Sequence, residues 1–176
     1  GYVFFSDKVH DYIKPSRGKR HFNRFIDYIT DVKNYRGFSC LDKALGFLID
    51  YVSKNVESVI IISDFLSFSE KTRKNLSLVA HKFETTALMI RDPLDNSLPD
   101  MAGEIVIEDP ASGQQLLVNP KIAKEAYERY SKNQRENVRN TCLDYNIDLL
   151  EITTDKPFVP TLSSFLKKRV KHRGGV

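Results

Sequence analysis

Two side chains in this sequence have the type and placement to do chemistry. Asp64 closes the run VIIISDF (Val59 to Phe65), in which four consecutive β-branched residues, with no polar alternation, predict a strand buried on both faces of a helix-covered parallel sheet. A carboxylate at that strand's carboxyl end stands on the rim where open α/β sheets bind ligands. Ser39 opens the next helix upstream, in Ser39-Cys40-Leu41-Asp42, whose spacing is that of a capping box. A hydroxyl and a carboxylate beside a helix N-terminus suit a hard, oxygen-seeking cation such as magnesium. Two such ligands make an incomplete shell, and each has a structural alternative: Asp64 as cap of the turn that follows it, Ser39 as helix cap. The stretch Asp64-Phe65-Leu66-Ser67-Phe68-Ser69 nearly spells Asp-x-Ser-x-Ser. It is one residue too long, so its serines read as the start of a helix.

The elements that must position these groups follow from periodicity. Strands are expected over Tyr2–Asp7, His10–Lys14, Ser58–Asp64, Thr86–Ile90 and Ile147–Thr153. Amphipathic helices are expected over Lys19–Lys33, from Ser39 onward, over Glu70–Phe83, over Lys121–Asn146, and as a basic closing helix over Pro160–His172. Between Gly103 and Asn119, the runs EIVIE and QQLLV joined by DPASG predict a β-hairpin. Alternating strands and helices predict a three-layer α/β domain over residues 1–176, mostly parallel, with helices on both faces and the hairpin added at 103–119. Parallel strands would gather the loops after Tyr2–Asp7, before Ser39 and after Asp64 at one edge.

The bulk composition sets further bounds. With 41% apolar and 28% charged residues the chain reads as an ordinary globular domain. The two cysteines, Cys40 and Cys142, have no second thiol or histidine close in sequence, which argues against a zinc site or disulfide framework and fits a reducing cytoplasmic setting. The four histidines are scattered. No Walker loop, dinucleotide glycine fingerprint or Gly-x-Ser-x-Gly elbow occurs. The net charge of +4 comes largely from Arg17–Arg24 and Lys167–Arg173; neither segment interleaves the exposed aromatics of a single-strand binder, so specific nucleic-acid recognition is not expected. No apolar run reaches the roughly 20 residues that span a bilayer. The opening Gly1-Tyr2-Val3-Phe4-Phe5 reads as a strand from its first residues, so the sequence is expected to be part of a longer polypeptide.

Seven segments in order, FFSD (Phe4–Asp7), RGKRH (Arg17–His21), GFSCLDKAL (Gly37–Leu45), VIIISDFL (Val59–Leu66), RDPLDNSLPD (Arg91–Asp100), EDPASGQ (Glu108–Gln114) and TTDKPFVPTLSSFLKKR (Thr153–Arg169), resemble the family catalogued as domain of unknown function 58, whose fold is similar to that of von Willebrand factor A domains. The resemblance implies a metal-ion-dependent adhesion site built from an Asp-x-Ser-x-Ser loop, a threonine and an aspartate. Ser39 falls at the threonine position, within Gly-Phe-Ser-Cys-Leu, and Asp64 at the aspartate position. The Asp-x-Ser-x-Ser loop and its central strand would precede residue 1. Magnesium is therefore expected in the intact parent and no tightly held ion in this fragment. The strands of Tyr2–Asp7 and Ser58–Asp64 are expected either to close onto each other or to leave a slot filled by another chain, such as a second copy in a dimer. The resemblance also implies a non-enzymatic adaptor that partners a MoxR-type AAA+ ATPase, in a parent anchored to the membrane by upstream helices. The competing expectations are a magnesium-dependent phosphoesterase using Asp64 and Asp7, and nucleic-acid binding through residues 17–24 and 167–173.

Overall fold

The computed structural model of the chain describes residues 1–35, 37–109 and 112–173, the last four of these by backbone alone. Its elements run β1 (Tyr2–Phe5), β2 (Val9–Ile13), α1 (Lys19–Thr30), α2 (Leu41–Tyr51), β3 (Ser58–Ser63), α3 (Glu70–Lys82), β4 (Glu84–Arg91), β5 (Ile105–Glu108), β6 (Gln115–Val118), α4 (Pro120–Asp144), β7 (Asp148–Thr153) and α5 (Phe158–Arg173). The fold is mixed α/β, and the chain divides into two compact units interleaved along the sequence.

The first unit comprises Gly1–Glu57, Ser67–Phe83 and Ile107–Leu116. Its centre is the packing of α2 on α3, where Leu41, Ala44, Leu45, Leu48, Leu76 and Val79 are buried. Each helix is finished by side chains. Ser69 caps α3 in a reciprocal box with Thr72, and Lys82 Nζ donates to the carbonyls of Leu48, Ile49 and Val52 at 3.2, 2.7 and 2.8 Å, satisfying the open C-terminal turn of α2. Beside this pair, β1 and β2 form an antiparallel ribbon with an irregularity between Phe4 and Phe5. Tyr2 and Phe4 meet Phe25 and Tyr28 of α1 in an aromatic cluster.

The second unit comprises Ser58–Leu66, Glu84–Val106 and the chain from Leu117 onward. Here β3, β4 and β7 form a parallel sheet in the order β3-β4-β7. Helices cover both faces. Arg139 of α4 pairs with Glu151 on one side of β7, and Arg169 of α5 pairs with Asp148 on the other, the two carboxylates having opposite parity along the strand. Asn119 and Pro120 start α4 with a side-chain cap and a pre-set first residue. The hairpin expected over 103–119 is present as β5 and β6, with Asp109 N donating to Gln114 O at 2.9 Å; Pro110 and Ala111 of its turn lie outside the described residues.

Three expectations need correction. The run VIIIS is not buried on both faces: Ile61 is 6% exposed, but Ile60 and Ile62 are 55% and 57% exposed. Only the odd-numbered face of β3 is covered. Of the two alternatives for the first strand, pairing with β3 is not the one found: among the described residues β1 pairs with β2, and β3 with β4, in separate sheets. Finally, Ser39 is not a helix cap. α2 begins at Leu41, its N-cap position is Cys40, and no side chain closes that end. Asp42, the far end of the supposed box, instead accepts from Ser69 Oγ at 3.5 Å.

The cysteines differ in a measurable way. Cys142 is 1% exposed, and burial, the largest cause, pushes its thiol up to about 12. Cys40 is half-buried. At pH 8 only about one Cys142 in ten thousand would be thiolate even if reagent reached it. Ellman's reagent should therefore titrate one thiol in the folded chain and two in denaturant; two reactive thiols in the folded chain would contradict this packing.

Candidate functional site

Asp64 stands where the sequence places it, immediately beyond the carboxyl end of β3 in the second unit. Its Oδ1 accepts the Leu66 N–H at 3.0 Å and lies 3.4 Å from Ser63 Oγ, whose own oxygen accepts from Phe65 N at 3.1 Å. The carboxylate thus caps the following turn, as the structural alternative holds. That role uses one oxygen, and among the described residues no hydrogen bond or ion pair engages Oδ2. Capping fixes the group's direction while leaving one oxygen for a ligand.

The turn itself is unusual. Phe65 has φ of 53°, in the left-handed region, although it is not glycine and is only 1% exposed. Its backbone is held from beneath. Arg91, at the end of β4 and 2% exposed, donates from Nε to Asp64 O at 3.0 Å and from Nη2 to Gln134 Oε1 at 2.5 Å. Gln134, on α4, donates from Nε2 to Phe65 O at 3.2 Å and also to Leu66 O. Burial, the largest influence, holds the Arg91 guanidinium below its ordinary pKa, with the nearby charges of Asp95 and Asp64 acting the other way.

The rest of this rim is tied down in the same manner. Asp92 caps the short turn Pro93–Asp95 and accepts from Thr154 Oγ1 at 3.1 Å. That turn is fastened to α4 by Ser131 Oγ donating to Asp95 O at 2.7 Å and by Tyr127 Oη donating to Leu94 O at 2.8 Å. Asp92 is therefore the turn former its place before proline predicts.

Ser39 lies in the first unit, exposed, two residues after Gly37. Gly37 has φ of 87°, and a Cβ there would meet Asp7 Oδ1 at 3.0 Å and Ser6 Oγ at 3.1 Å. The loop carrying Ser39 is thereby brought against the end of β1, where Cys40 N donates to Ser6 O at 2.9 Å and Lys43 Nζ to Asp7 O at 2.6 Å. The candidate ligands Ser39 and Asp64 thus belong to different units, each in a separately built loop.

A cluster that the sequence reading passed over lies beside Ser39. Ser6 Oγ donates to Asp7 Oδ1 at 2.9 Å and is 2.5 Å from His10 Nε2. The Ser6 hydroxyl, the largest influence, holds the Asp7 carboxyl below its ordinary range. Ser, His and Asp together suggest hydrolysis, but the connectivity is wrong for it. In a nucleophilic triad the carboxylate orients the ring through Nδ1; here it lies on the hydroxyl and approaches the same Nε2, at 3.9 Å. Asp7 and His10 thus both meet the Ser6 hydroxyl, and among the described residues no carboxylate orients the far side of the ring. The sequence signal was Ser and His at i and i+4 across the turn of the β1–β2 ribbon.

Of the basic segments, Arg169 spends its guanidinium on Glu84 at 2.6 Å and Asp148 at 2.7 Å. Among the described residues there is no group of three or more His, Cys, Asp or Glu able to hold a metal, and no helix long and apolar enough to cross a membrane.

Residues 1–138 match the family described as "Protein of unknown function DUF58". An uncharacterised protein of Mycobacterium bovis and one of Mycobacterium tuberculosis are each 30% identical over 112 residues, covering 62% of this chain and 34% of the relative. An uncharacterised protein of Mycobacterium avium is 26% identical over 112 residues, 62% of this chain and 64% of that protein. The match thus spans about a third of the first relatives' length. No solved structure matches.

Proposed function

The chain belongs to the DUF58 family, and on that premise we propose that it is a non-enzymatic protein-interaction module of the von Willebrand factor A type, working in the cytoplasm as an adaptor for a MoxR-type AAA+ ATPase. The observation that carries this reading is the Asp64 carboxylate, fixed at the carboxyl end of a parallel strand by one oxygen and unengaged at the other. In the parent protein Asp64 contributes to a magnesium site completed by an upstream Asp-x-Ser-x-Ser segment, and an acidic side chain of the partner fills the last position. Oxygen ligands and retained water are what magnesium requires. The outward edge of β3, flanked by exposed Ile60 and Ile62, is where that segment's strand, or a second copy of the chain, would add.

The test is capture of the ATPase by full-length protein. Chelation with EDTA and Asp64→Ala should each abolish capture. Capture indifferent to chelation and to Asp64→Ala would overturn the metal-dependent reading. Turnover of a simple phosphate ester, lost on Asp64→Ala, would favour the phosphoesterase instead.

A further inference from the structure

We propose that the β5–β6 hairpin is a docking arm, whose outer β5 edge takes up an extended, lysine- or arginine-bearing segment of a partner protein as a third strand. An isolated two-stranded ribbon is marginally stable in water until a further strand or a helix backs it, and among the described residues β5 and β6 pair only with each other. Both faces carry exposed apolar side chains. Gln115 Nε2 donates to Glu108 Oε2 at 2.7 Å, so these two share one face; by strand alternation Val106 and Leu117, 59% and 60% exposed, lie on it too. Ile107 and Leu116, 38% and 65% exposed, occupy the other. Natural edge strands are commonly blunted by charge or proline. The run Ile105-Val106-Ile107 has neither.

Charge identifies the partner. From Asp92 to Pro120 the chain holds Asp92, Asp95, Asp100, Glu104, Glu108 and Asp109 but no lysine, arginine or histidine, although the whole sequence has a net charge of +4. The first three are engaged within the fold, Asp92 and Asp95 in their turn and Asp100 with Lys124 at 3.8 Å. Glu104 and Glu108 bracket the apolar run of β5, both exposed, and among the described residues no cation pairs with either. The other strand is uncharged from Gln114 to Asn119. A strand laid beside β5 is therefore favoured by cationic residues opposite Glu104 and Glu108, with apolar ones between them. The backbone is set for the same addition. Asp109 N donates inward to Gln114 O at 2.9 Å. Amides alternate in an antiparallel ribbon, so the N–H of Ile107 also turns toward β6, and those of Val106 and Glu108 turn outward. These outward groups are the ones strand addition uses. Nothing in this surface calls on Asp64, so it operates independently of the cation site.

The experiment uses full-length protein in EDTA and two fluorescein-labelled probes, an alternating lysine–valine octapeptide and its glutamate–valine counterpart. Fluorescence anisotropy should show the lysine peptide binding about 10-fold or more tightly than the glutamate one, the effect of two opposite-charge cross-strand pairs replaced by like-charge ones. Hydrogen exchange followed by NMR should show the Val106 and Glu108 amides slowed when it binds. Glu104→Lys combined with Glu108→Lys should reverse the preference between the peptides. Val106→Pro removes one outward N–H, a change that edge strands tolerate, and should abolish binding with the circular dichroism unchanged. The charge reversal lies on exposed side chains and keeps the test decisive even where the proline disturbs the ribbon. No binding of the lysine peptide, or binding that leaves the Val106 and Glu108 amides exchanging at their free rate, would overturn the docking arm. Equal affinity for the two peptides would overturn the cationic partner. Sedimentation showing self-association that Val106→Pro abolishes would assign the edge to a second copy of the chain and overturn the proposal as well.

Discussion

Replacing Phe65 by alanine should destabilise the fold by about 3–5 kcal/mol, the usual cost of emptying a buried aromatic site, and replacing it by glycine should cost less. That order reverses the common one, in which glycine trails alanine by about 0.5–1 kcal/mol. The reason is local. Phe65 is 1% exposed, so either substitution loses the ring's packing. At φ of 53° alanine keeps the Cβ that makes left-handed backbone unfavourable by about 1–2 kcal/mol, and glycine does not. Urea denaturation of the two variants measures the difference. Alanine outperforming glycine by the ordinary margin would show that residue 65 is not left-handed in solution, and the grip by Arg91 and Gln134 would lose its purpose. A ring and a strained turn in one residue also explain why Asp64 is well fixed: the side chain is anchored in the core immediately beside the carboxylate it must hold.

Much of this was legible in the sequence, for identifiable reasons. β4 and β7 follow from β-branched and apolar runs bounded by turn residues, and the α2–α3 pair from apolar side chains recurring at helical spacing. Asp64 fell at a strand end because the apolar run stops there. What stayed hidden depends on tertiary context. A continuous run of isoleucines carries no alternation, so it cannot reveal that Ile60 and Ile62 face outward while Ile61 is buried. β1 carries no local mark of its antiparallel partner. Phenylalanine gives no hint of a left-handed backbone, and Arg91 before Asp-Pro reads as turn punctuation although its guanidinium reaches back to the preceding strand's end. The Ser39 box failed for a simpler reason. Its fourth residue is Asp42, whose side chain is one methylene shorter than the glutamate of the usual motif, and that carboxylate turns to Ser69 on the neighbouring helix.

The isoleucines of β3 provide the second large effect. Ile61→Ala should cost about 2–5 kcal/mol, whereas Ile60→Ala and Ile62→Ala, one residue to either side and chemically identical, should each cost about 1 kcal/mol or less. Ile61 is 6% exposed and lies in register with fully buried Ala87 on β4, so truncation leaves a cavity the sheet cannot collapse. Ile60 and Ile62 point to the opposite face, the side on which α5 packs on β7, and there more than half of each side chain meets solvent. Truncating an exposed side chain removes little burial and opens no cavity. The contrast also reports on the open edge. If Ile62→Ala proves as damaging as Ile61→Ala, that face is covered in solution, and thermal melts at two protein concentrations identify the cover: a second copy makes the melting temperature rise with concentration, and Ile60→Lys with Ile62→Lys should then abolish that dependence.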